Sequence, residues 1–421
     1  MEALRIKGGV PLKGTLPLSG SKNAVLPLMA LSLLTKEPVI LTHVPRLRDV
    51  QTFQRLLTHL GATCKFCAKD NSFSLQVPQF NSAEAPYDIV REMRASILVL
   101  GPLLARNGYA RVSMPGGCAI GTRPIDFHLE GLKALGASYT LDQGYVTAKA
   151  EKGLIGGSYT FPRPTVTGSQ NLLMAASLAH GTTRLYGLAQ EPEVMQTLRS
   201  LQKMGAKIEL DSHNAVIEGR PSLQGLQDTV PFDRIEAGTY MMASAITGGD
   251  LWFPHPHLFD SLAHVITVLQ SMGVEFNPSA EGLRVRGPDR LQSGEVRTQE
   301  YPGFPTDLQA QIIALFTVAL GRSAVTETIF ENRFMHVPEL CRMGAKIQVK
   351  GQTAHIEGQE SLTGAHVMAT DLRASVSLVL AGLKAQGETY VHRLYHLDRG
   401  YENLVEKLQT CGAHIHRLPL S

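Results

Sequence analysis

Six segments of this 421-residue chain repeat one pattern, and this repeat limits the folds that the sequence can adopt. In each segment a helix-like stretch ends in an apolar residue or Cys, followed by glycine, a small residue and a strand-like run. The glycines lie 68 to 75 residues apart, at Gly61, Gly136, Gly205, Gly273, Gly344 and Gly412. Because helices commonly stop on a left-handed residue that suits glycine, we predict that each of these glycines ends a helix.

A second element recurs upstream of each glycine. It is an apolar segment, and the six copies are KNAVLPLMALSLL, REMRASILVLGPLLA, GSQNLLMAASLA, EAGTYMMASAI, TDLQAQIIALFTVAL and TDLRASVSLVLAGLKA. These segments are apolar nearly all round, which indicates helices buried at the centre of a domain. Each is followed by a short strand, a polar turn and the amphipathic helix that ends at the glycine.

The repeat therefore predicts an α/β fold of six units of about 70 residues each. Six units divide most simply into two domains of three, with a crossover in the irregular segment 219–233. We assign residues 22–231 to the first domain. We assign residues 1–21 and 232–421 to the second domain. The opening residues have a strand and turn pattern and precede the first repeat unit, so they can pair with the second domain.

Composition excludes several classes of function. The net charge of +3 is spread along the chain without a basic run, so we expect no nucleic acid partner and instead a small anion bound at a focused site. The apolar run 24–34 is about half a membrane span and contains Pro27, so we expect no membrane segment. Five scattered cysteines make no disulfide framework and favour a reducing cytoplasm. We interpret the pair Cys64 and Cys67 as strand residues without a metal.

Polar residues concentrate where the helices of the repeat begin. The starts of the buried helices carry Lys22, Asn23, Arg94, Thr239, Asp307 and Asp371, and the turns before the second helices carry Cys118, Arg123 and Arg399. Helix starts present free N–H groups and a positive dipole end, which suit phosphates and carboxylates. A single Lys or Arg at a helix start is more often a solvated surface charge, and a single Asp there is more often an N-cap. Because these residues occupy equivalent positions in the repeated units, however, they can face one binding cleft.

The segment PGGCAIGTRP, residues 115–124, carries a cysteine among three glycines. The glycines allow the loop to move, and the nearby Arg123 favours the thiolate of Cys118. The sequence therefore predicts a reactive thiol at Cys118.

Several motifs together resemble one enzyme family. They are SGSKNA, REMRAS, PGGCAIGTRPID, FPTDLQAQ, FENRFMHVPEL, MATDLRAS and DRGYENL, and they resemble the UDP-N-acetylglucosamine enolpyruvyl transferases, which open bacterial peptidoglycan synthesis. The resemblance covers essentially the whole chain. It implies two inside-out α/β barrels of three repeats each, with helices inside and sheets outside, and an active site in the cleft between the domains.

The resemblance also implies roles for individual residues. Lys22, Arg123 and Arg399, with Asn23 beside them, match positions that bind phosphoenolpyruvate. The positions that match the nucleotide-sugar site are Asn23, Arg94, Arg123, Pro124, Ile125, Asp126, Phe127, Arg163, Pro164, Thr165, Val166, Asp307 and Ile329. Cys118 matches the cysteine that fosfomycin alkylates in the family.

The implied reaction transfers the enolpyruvyl group of phosphoenolpyruvate to the 3-hydroxyl of UDP-N-acetylglucosamine by addition and elimination. The substrate carries its own leaving group, so we expect neither a metal nor an organic cofactor. Lys22, Arg123 and Arg399 would hold the anionic groups. Asp307 is the candidate base, with a possible share for Asp371, and Cys118 is a candidate proton donor to C3.

Three alternatives remain open at this point. One is the sister family that makes 5-enolpyruvylshikimate 3-phosphate, although it usually has an arginine where this chain has Pro27. Another is a noncatalytic repeat protein that binds nucleotides or RNA, against which the acids Asp307 and Asp371 argue because they would repel phosphates. The third is a cysteine hydrolase built on Cys118 and His128, for which no orienting third group is evident.

Overall fold

The computed structural model describes residues 2–69, 72–114 and 125–419. Within these ranges the chain forms β-strands and helices in alternation, and the α/β class predicted from the repeat is confirmed. No helix in the described ranges is long and apolar enough to cross a membrane.

The strands are short. They are β1 Glu2–Lys7, β2 Lys13–Thr15, β3 Val39–Thr42, β4 Thr63–Cys67, β5 Ser72–Gln76, β6 Glu84–Ala85, β7 Tyr109–Ser113, β8 Ser138–Asp142, β9 Tyr145–Lys149, β10 Ser158–Thr160, β11 Thr182–Tyr186, β12 Lys207–Asp211, β13 Asn214–Glu218, β14 Leu226–Thr229, β15 Asp250–Phe253, β16 Glu275–Ser279, β17 Gly282–Arg286, β18 Glu295–Arg297, β19 Arg322–Thr326, β20 Lys346–Lys350, β21 Thr353–Glu357, β22 His366–Met368, β23 Glu388–His392 and β24 His414–Pro419.

The helices fall into longer α-helices and short 3-10 turns. The α-helices are α1 Lys22–Ala30, α2 Arg48–Leu60, α3 Tyr87–Val90, α4 Leu100–Asn107, α5 Asp126–Ala134, α6 Val166–Ala176, α7 Pro192–Lys203, α8 Arg234–Thr247, α9 Leu258–Ser261, α10 Ala263–Ser271, α11 Gln309–Phe316, α12 Val337–Arg342, α13 Ala374–Lys384 and α14 Leu404–Thr410. The 3-10 helices are Leu31–Leu34, Arg94–Val99, Thr306–Leu308 and Leu397–Arg399.

The described residues form two compact units. One unit runs from residue 20 to residue 232 and holds three sheets, with strand orders β14-β3-β5-β4, β6-β7-β9-β8 and β10-β11-β13-β12. The other unit joins the opening residues to the segment that begins at residue 233, and its sheets have the orders β2-β15-β17-β16, β18-β19-β21-β20 and β22-β23-β1-β24.

All six sheets follow one plan. The first two strands are parallel, as in β10 beside β11, and the remaining pairs are antiparallel. In five sheets the last two strands are a hairpin, whereas in the sixth the third place is taken by β1, which lies antiparallel to both β23 and β24. The opening residues of the chain therefore complete a sheet with its closing residues.

The apolar segments of the repeat are buried helices, as predicted. Every residue of α8 and α11 is buried, and α13 buries all but its final lysine. These three helices pack on one another within their unit, and α4 and α6 pack together in the other unit. A helix that is apolar on all sides needs neighbours on all sides, which explains this central position.

The six repeat glycines have the left-handed conformation that we predicted. Their φ angles lie between 85° and 115°. At the end of α2, for example, the N–H of Gly61 bonds to Thr58 O at 3.1 Å and that of Ala62 to Leu57 O at 2.8 Å. The glycine conformation thus turns the chain out of the helix and into the next strand.

One predicted helix start was wrong. We expected the buried helix of the fourth repeat to open near Thr239, but α8 begins at Arg234. Asp233 caps it, since its carboxylate accepts hydrogen bonds from the N–H groups of Ile235 at 2.8 Å and Glu236 at 3.1 Å. Thr239 is instead a fully buried residue inside the helix.

Candidate functional site

Lys22 is held at the start of α1 by a buried ion pair. Its Nζ lies 2.9 Å from Oδ2 of Asp49, and both side chains are nearly inaccessible to solvent. Asp49 belongs to the first turn of α2, which packs against α1. Asp49 was not predicted from the sequence, although an acid in the first turn of the next helix is a detectable signal. The pair orients the ammonium group at the place where Lys22 was predicted to meet an anion.

Arg94 opens a 3-10 helix beside a buried histidine. His128, in the first turn of α5, is 3% exposed. Burial, together with the positive charge of Arg94, lowers the pKa of His128 to about 3. Its ring accepts or donates hydrogen bonds at Asn171, 2.9 Å away, and at Thr167, 3.3 Å away.

This environment argues against the cysteine hydrolase alternative. A general base must be able to take up a proton near neutral pH. His128 is neutral with a pKa of about 3, and both of its ring nitrogens are engaged inside the unit. Cys118, Arg123 and Pro124 lie outside the described residues.

The starts of α5 and α6 lie side by side. The guanidinium carbon of Arg163 is 5.7 Å from the ring centre of Phe127, and Thr167 of α6 bonds to His128 of α5. Asp126 and Arg163 are exposed, whereas Ile125 is buried. The described residues Phe127 and Arg163 are thus in contact, and Pro164, Thr165 and Val166 follow Arg163 at the start of α6.

Asp307 lies between two arginines in the other unit. Its Oδ1 is 2.8 Å from Nη2 of Arg333, and its Oδ2 is 3.5 Å from Nε of Arg373. Arg333 also donates to Oγ1 of Thr306 at 2.8 Å, and Arg373 reaches the capping carboxylate of Asp233 at 3.3 Å. Two guanidinium groups favour the ionised form of the Asp307 carboxyl group.

Arg373 connects this acid to the segment that carries Arg399. Its Nη1 donates to the carbonyl oxygen of Gly400 at 3.2 Å, and its guanidinium lies 5.5 Å from the ring centre of Tyr401. Burial alone would lower the pKa of Arg373, but the charge of Asp233 raises it overall. Arg373 is therefore a permanent cation that the acids around it neutralise.

A buried glutamate supports the loop that contains Ile329. Oε1 of Glu327 accepts hydrogen bonds from the hydroxyl of Thr298 at 2.9 Å and from the N–H of Ile329 at 2.8 Å. Oε2 accepts one from the hydroxyl of Thr306 at 2.8 Å. Glu327 thus fixes Ile329 and the 3-10 turn of Asp307 relative to each other, a role that the sequence analysis missed.

Asp371 precedes α13 and satisfies its first N–H groups. Oδ1 accepts hydrogen bonds from Arg373 N at 2.7 Å and from Ala374 N at 2.9 Å. Two histidines share its surroundings. Burial lowers the pKa of His336 to about 4, although the charge of Asp371 opposes the shift. Burial likewise lowers the pKa of His396, on which both Arg399 and Asp371 act.

The predicted residues thus form local groups in each unit. Lys22, Arg94 and the starts of α5 and α6 belong to one unit, and Asp307, Ile329, Asp371 and Arg399 belong to the other. Among the residues that the structure describes, no group of three His, Cys, Asp or Glu side chains could hold a metal ion.

One cavity lies away from these groups. It has a volume of about 150 Å³, and residues at the C-terminal ends of α8 and α13 help to line it. Asp307 and Asp371 lie by contrast at the opposite, N-terminal ends of the buried helices.

Comparison with known proteins gives a consistent set of relatives. A family model described as EPSP synthase (3-phosphoshikimate 1-carboxyvinyltransferase) matches residues 6–408. The UDP-N-acetylglucosamine 1-carboxyvinyltransferase of Granulibacter bethesdensis is 52% identical over 419 residues, which cover 99% of this chain and 100% of that protein. The protein of the same name from Nitratidesulfovibrio vulgaris is 51% identical and covers all of both chains.

Solved structures share the fold. The enolpyruvyl transferase NikO from Streptomyces tendae superposes with a TM-score of 0.87 at 26% identity, over 99% of this chain and 98% of its own. An EPSP synthase from Acinetobacter baumannii superposes with a TM-score of 0.76 over the full length of both chains, at 19% identity, which shows similarity of fold alone.

Proposed function

We propose that this chain, which belongs to the EPSP synthase (3-phosphoshikimate 1-carboxyvinyltransferase) family, transfers the enolpyruvyl group of phosphoenolpyruvate to the 3-hydroxyl of UDP-N-acetylglucosamine and releases phosphate. The observation that carries the proposal is the identity of 51–52% over essentially the whole chain with enzymes named for this reaction. The reaction is the first committed step of peptidoglycan precursor synthesis.

We propose substrate-binding roles for the residues that match the family's substrate positions. Lys22, Arg123 and Arg399 would bind the carboxylate and phosphate of phosphoenolpyruvate, with Asn23 beside them. Arginine suits this task because its planar fork grips a carboxylate or phosphate with two hydrogen bonds. The nucleotide sugar would lie against Arg94, Arg163 and the starts of α5 and α6, where free N–H groups favour its diphosphate.

Asp307 is the proposed base of the reaction. The sugar hydroxyl attacks C2 of phosphoenolpyruvate and gives up its proton to the Asp307 carboxylate, while C3 gains a proton. The tetrahedral intermediate then loses phosphate, and C3 loses a proton to form the enol ether. Support comes from Arg333, 2.8 Å from Asp307, because a base must start the reaction without its proton. Asp371 would contribute less, since two backbone N–H groups already engage one of its oxygens.

The six repeats are proposed to form two inside-out barrels. Support comes from the shared order of the six sheets and from the burial of the helices that the repeat contains. Four described cysteines, Cys64, Cys67, Cys341 and Cys411, are free thiols, which supports action in a reducing cytoplasm.

The assay that tests the function measures phosphate release with two acceptors. We expect release with phosphoenolpyruvate and UDP-N-acetylglucosamine, and none with shikimate 3-phosphate in its place. Release with shikimate 3-phosphate alone would favour the sister reaction. A protein that binds the nucleotide sugar but releases no phosphate with either acceptor would be the noncatalytic alternative.

Cys118 is proposed to donate the proton to C3 or to assist product release. Fosfomycin should therefore alkylate Cys118 before the other cysteines and abolish turnover. Cys118→Asp should keep turnover and resist fosfomycin, because a carboxyl group can carry a proton but attacks an epoxide poorly, whereas Cys118→Ala should be slower by about 10²-fold or more. Peptide mapping that finds another cysteine alkylated first would contradict this role.

A further inference from the structure

Asn171 of α6 has an amide whose orientation is fixed by its neighbours. Its Oδ1 lies 2.6 Å from the N–H of Gly101, which can only donate, so this atom must be the oxygen. The Nδ2 group therefore faces the carbonyl oxygen of Ile97 at 2.9 Å and Nδ1 of His128 at 2.9 Å. One amide thus joins α6 to the segment 97–101 and to α5, and none of its surface is exposed.

The amide dictates the proton on His128. Because Asn171 Nδ2 donates, His128 Nδ1 must accept, and the ring proton lies on Nε2, which donates to Thr167 Oγ1 at 3.3 Å. If Nδ1 of His128 were also protonated, its N–H group would face the Nδ2 group of Asn171, and both groups can only donate. The geometry therefore holds the ring neutral, in agreement with its pKa of about 3.

The charge of Arg94 also favours the neutral form of the His128 ring. Arg94 is the charged group that acts on His128 among the described residues. On the exposed side of α5, Glu130 accepts a hydrogen bond from Tyr139 at 2.8 Å, pairs with Lys133 at 3.7 Å and acts on Tyr159 of β10. A neutral His128 adds no positive charge beside Arg94.

We propose that Asn171 and His128 are positioning residues that hold three segments in register for the nucleotide sugar: the 3-10 turn of Arg94, the start of α5 and the start of α6. Neither residue is assigned contact with the substrate. The inference rests on the proposed function, since it concerns the binding of the same acceptor. On this proposal, the buried amide of Asn171 and the neutral ring of His128 align the segments that bind the nucleotide sugar.

The direct test replaces Asn171 by Asp, with Gln170→Glu as the matched control. Gln170 is the preceding residue of α6, is 1% exposed, and donates to Glu193 O and Thr197 Oγ1 at 3.2 Å each. Both variants turn a buried amide of one helix into an acid. The control, however, affects the contact with α7, which carries none of the predicted site residues.

We expect Asn171→Asp to raise the KM for UDP-N-acetylglucosamine about tenfold, which is the loss expected for a displaced hydrogen-bonded contact. The KM for phosphoenolpyruvate should change less than threefold, and Gln170→Glu should leave both constants unchanged while lowering the melting temperature. Equal changes in both KM values, or the same changes in both variants, would overturn the positioning role.

A readout independent of turnover is the titration of His128 by NMR of its Cε1–H group. In the parent this signal should not titrate above pH 5, whereas in Asn171→Asp the new carboxylate should raise the pKa of His128 above that of the parent. A parent His128 that titrates near its ordinary 6.5 would overturn the inference. If the parent failed to use UDP-N-acetylglucosamine, the proposed function would fail while this titration could still succeed.

Two further variants keep the test informative if Asn171→Asp does not fold. His128→Asn retains an oxygen acceptor for the Asn171 amide, whereas His128→Phe retains none. The KM for the nucleotide sugar should rise more in the phenylalanine variant, with partial rescue in the asparagine variant. Equal KM values in the two variants would contradict the role of the ring acceptor.

Discussion

At the scale of single residues, two acids that look alike in the sequence have different environments. Asp307 and Asp371 each follow a threonine before a buried helix. Asp371 lies two residues before Arg373, the N-cap residue of α13, and its Oδ1 accepts hydrogen bonds from the N–H groups of Arg373 and Ala374. Asp307 instead pairs with Arg333 and Arg373. The carboxylate that is bound by side chains is the one better prepared to exchange a proton with a substrate.

The corresponding prediction concerns Asp307→Asn. The amide keeps an oxygen for Arg333 but cannot take a proton, so kcat should fall by about 10²- to 10⁴-fold in a folded protein. Phosphate release measures kcat, and circular dichroism shows whether the variant is folded. The matched control is Asp250→Asn, which breaks an exposed pair with Arg284 at 2.6 Å in the same unit and should leave kcat unchanged. A kcat within a factor of three of the parent would remove Asp307 from the mechanism.

At the scale of elements, the repeat places a left-handed glycine after each second helix, but the surroundings of these glycines differ. A Cβ on Gly61 would lie 2.6 Å from Gln79 O and 2.9 Å from Asn81 N, both backbone atoms. A Cβ on Gly205 would meet nothing within 4 Å. The six repeats therefore share the backbone conformation of this glycine, whereas the packing around the glycine differs from one repeat to another.

This difference gives a stability prediction. Gly205→Ala should lower the free energy of unfolding by about 1 to 2 kcal/mol, the cost of a left-handed alanine. Gly61→Ala should cost clearly more, because backbone atoms must also move away from the new Cβ. Urea unfolding of both variants measures the difference, and a smaller loss for Gly61→Ala would show that the local packing relaxes freely.

At the scale of the whole molecule, each unit buries one neutral histidine. His128 lies in the unit of residues 20–232, with a pKa of about 3, and His336 lies in the other, with a pKa of about 4. Both values are below the ordinary 6.5, so the unfolded chain binds these protons more readily than the folded one. Their contribution to stability is therefore present above pH 6.5 and is lost as the pH falls toward 4.

Acid should consequently destabilise both units. For His336, acidification from pH 7 to pH 5 should cost about 1 to 2 kcal/mol of unfolding free energy. His336→Gln cannot be protonated in this range and should lose less stability over the same interval. The control is His355→Gln, at an exposed position in β21. Urea unfolding at pH 7 and pH 5 should show the same loss of unfolding free energy in this variant as in the parent. If His336→Gln lost as much unfolding free energy between pH 7 and pH 5 as the parent does, a group other than His336 would be responsible for the destabilisation by acid.

The sequence by itself determined the periodic features of this protein. Glycines at near-constant spacing predicted helix ends, because a left-handed backbone is a local property of one residue type. Segments apolar on all sides predicted buried helices for an equally local reason, and Lys22, Asp307 and Arg399 were visible as polar residues at helix starts. The motifs also sufficed for the family, because whole short segments were recognisable.

Only the tertiary structure decided which side chains meet. Lys22 with Asp49, Asp307 with Arg333, and Asn171 with His128 pair residues 26 to 43 positions apart, on different helices and loops. Arg373 and Asp233 are 140 positions apart. A local pattern cannot specify such pairs, since each depends on how several elements pack. The same reason explains why Asp49, Asn171 and Glu327 escaped the sequence analysis: each is an ordinary polar residue until burial makes its partner obligatory.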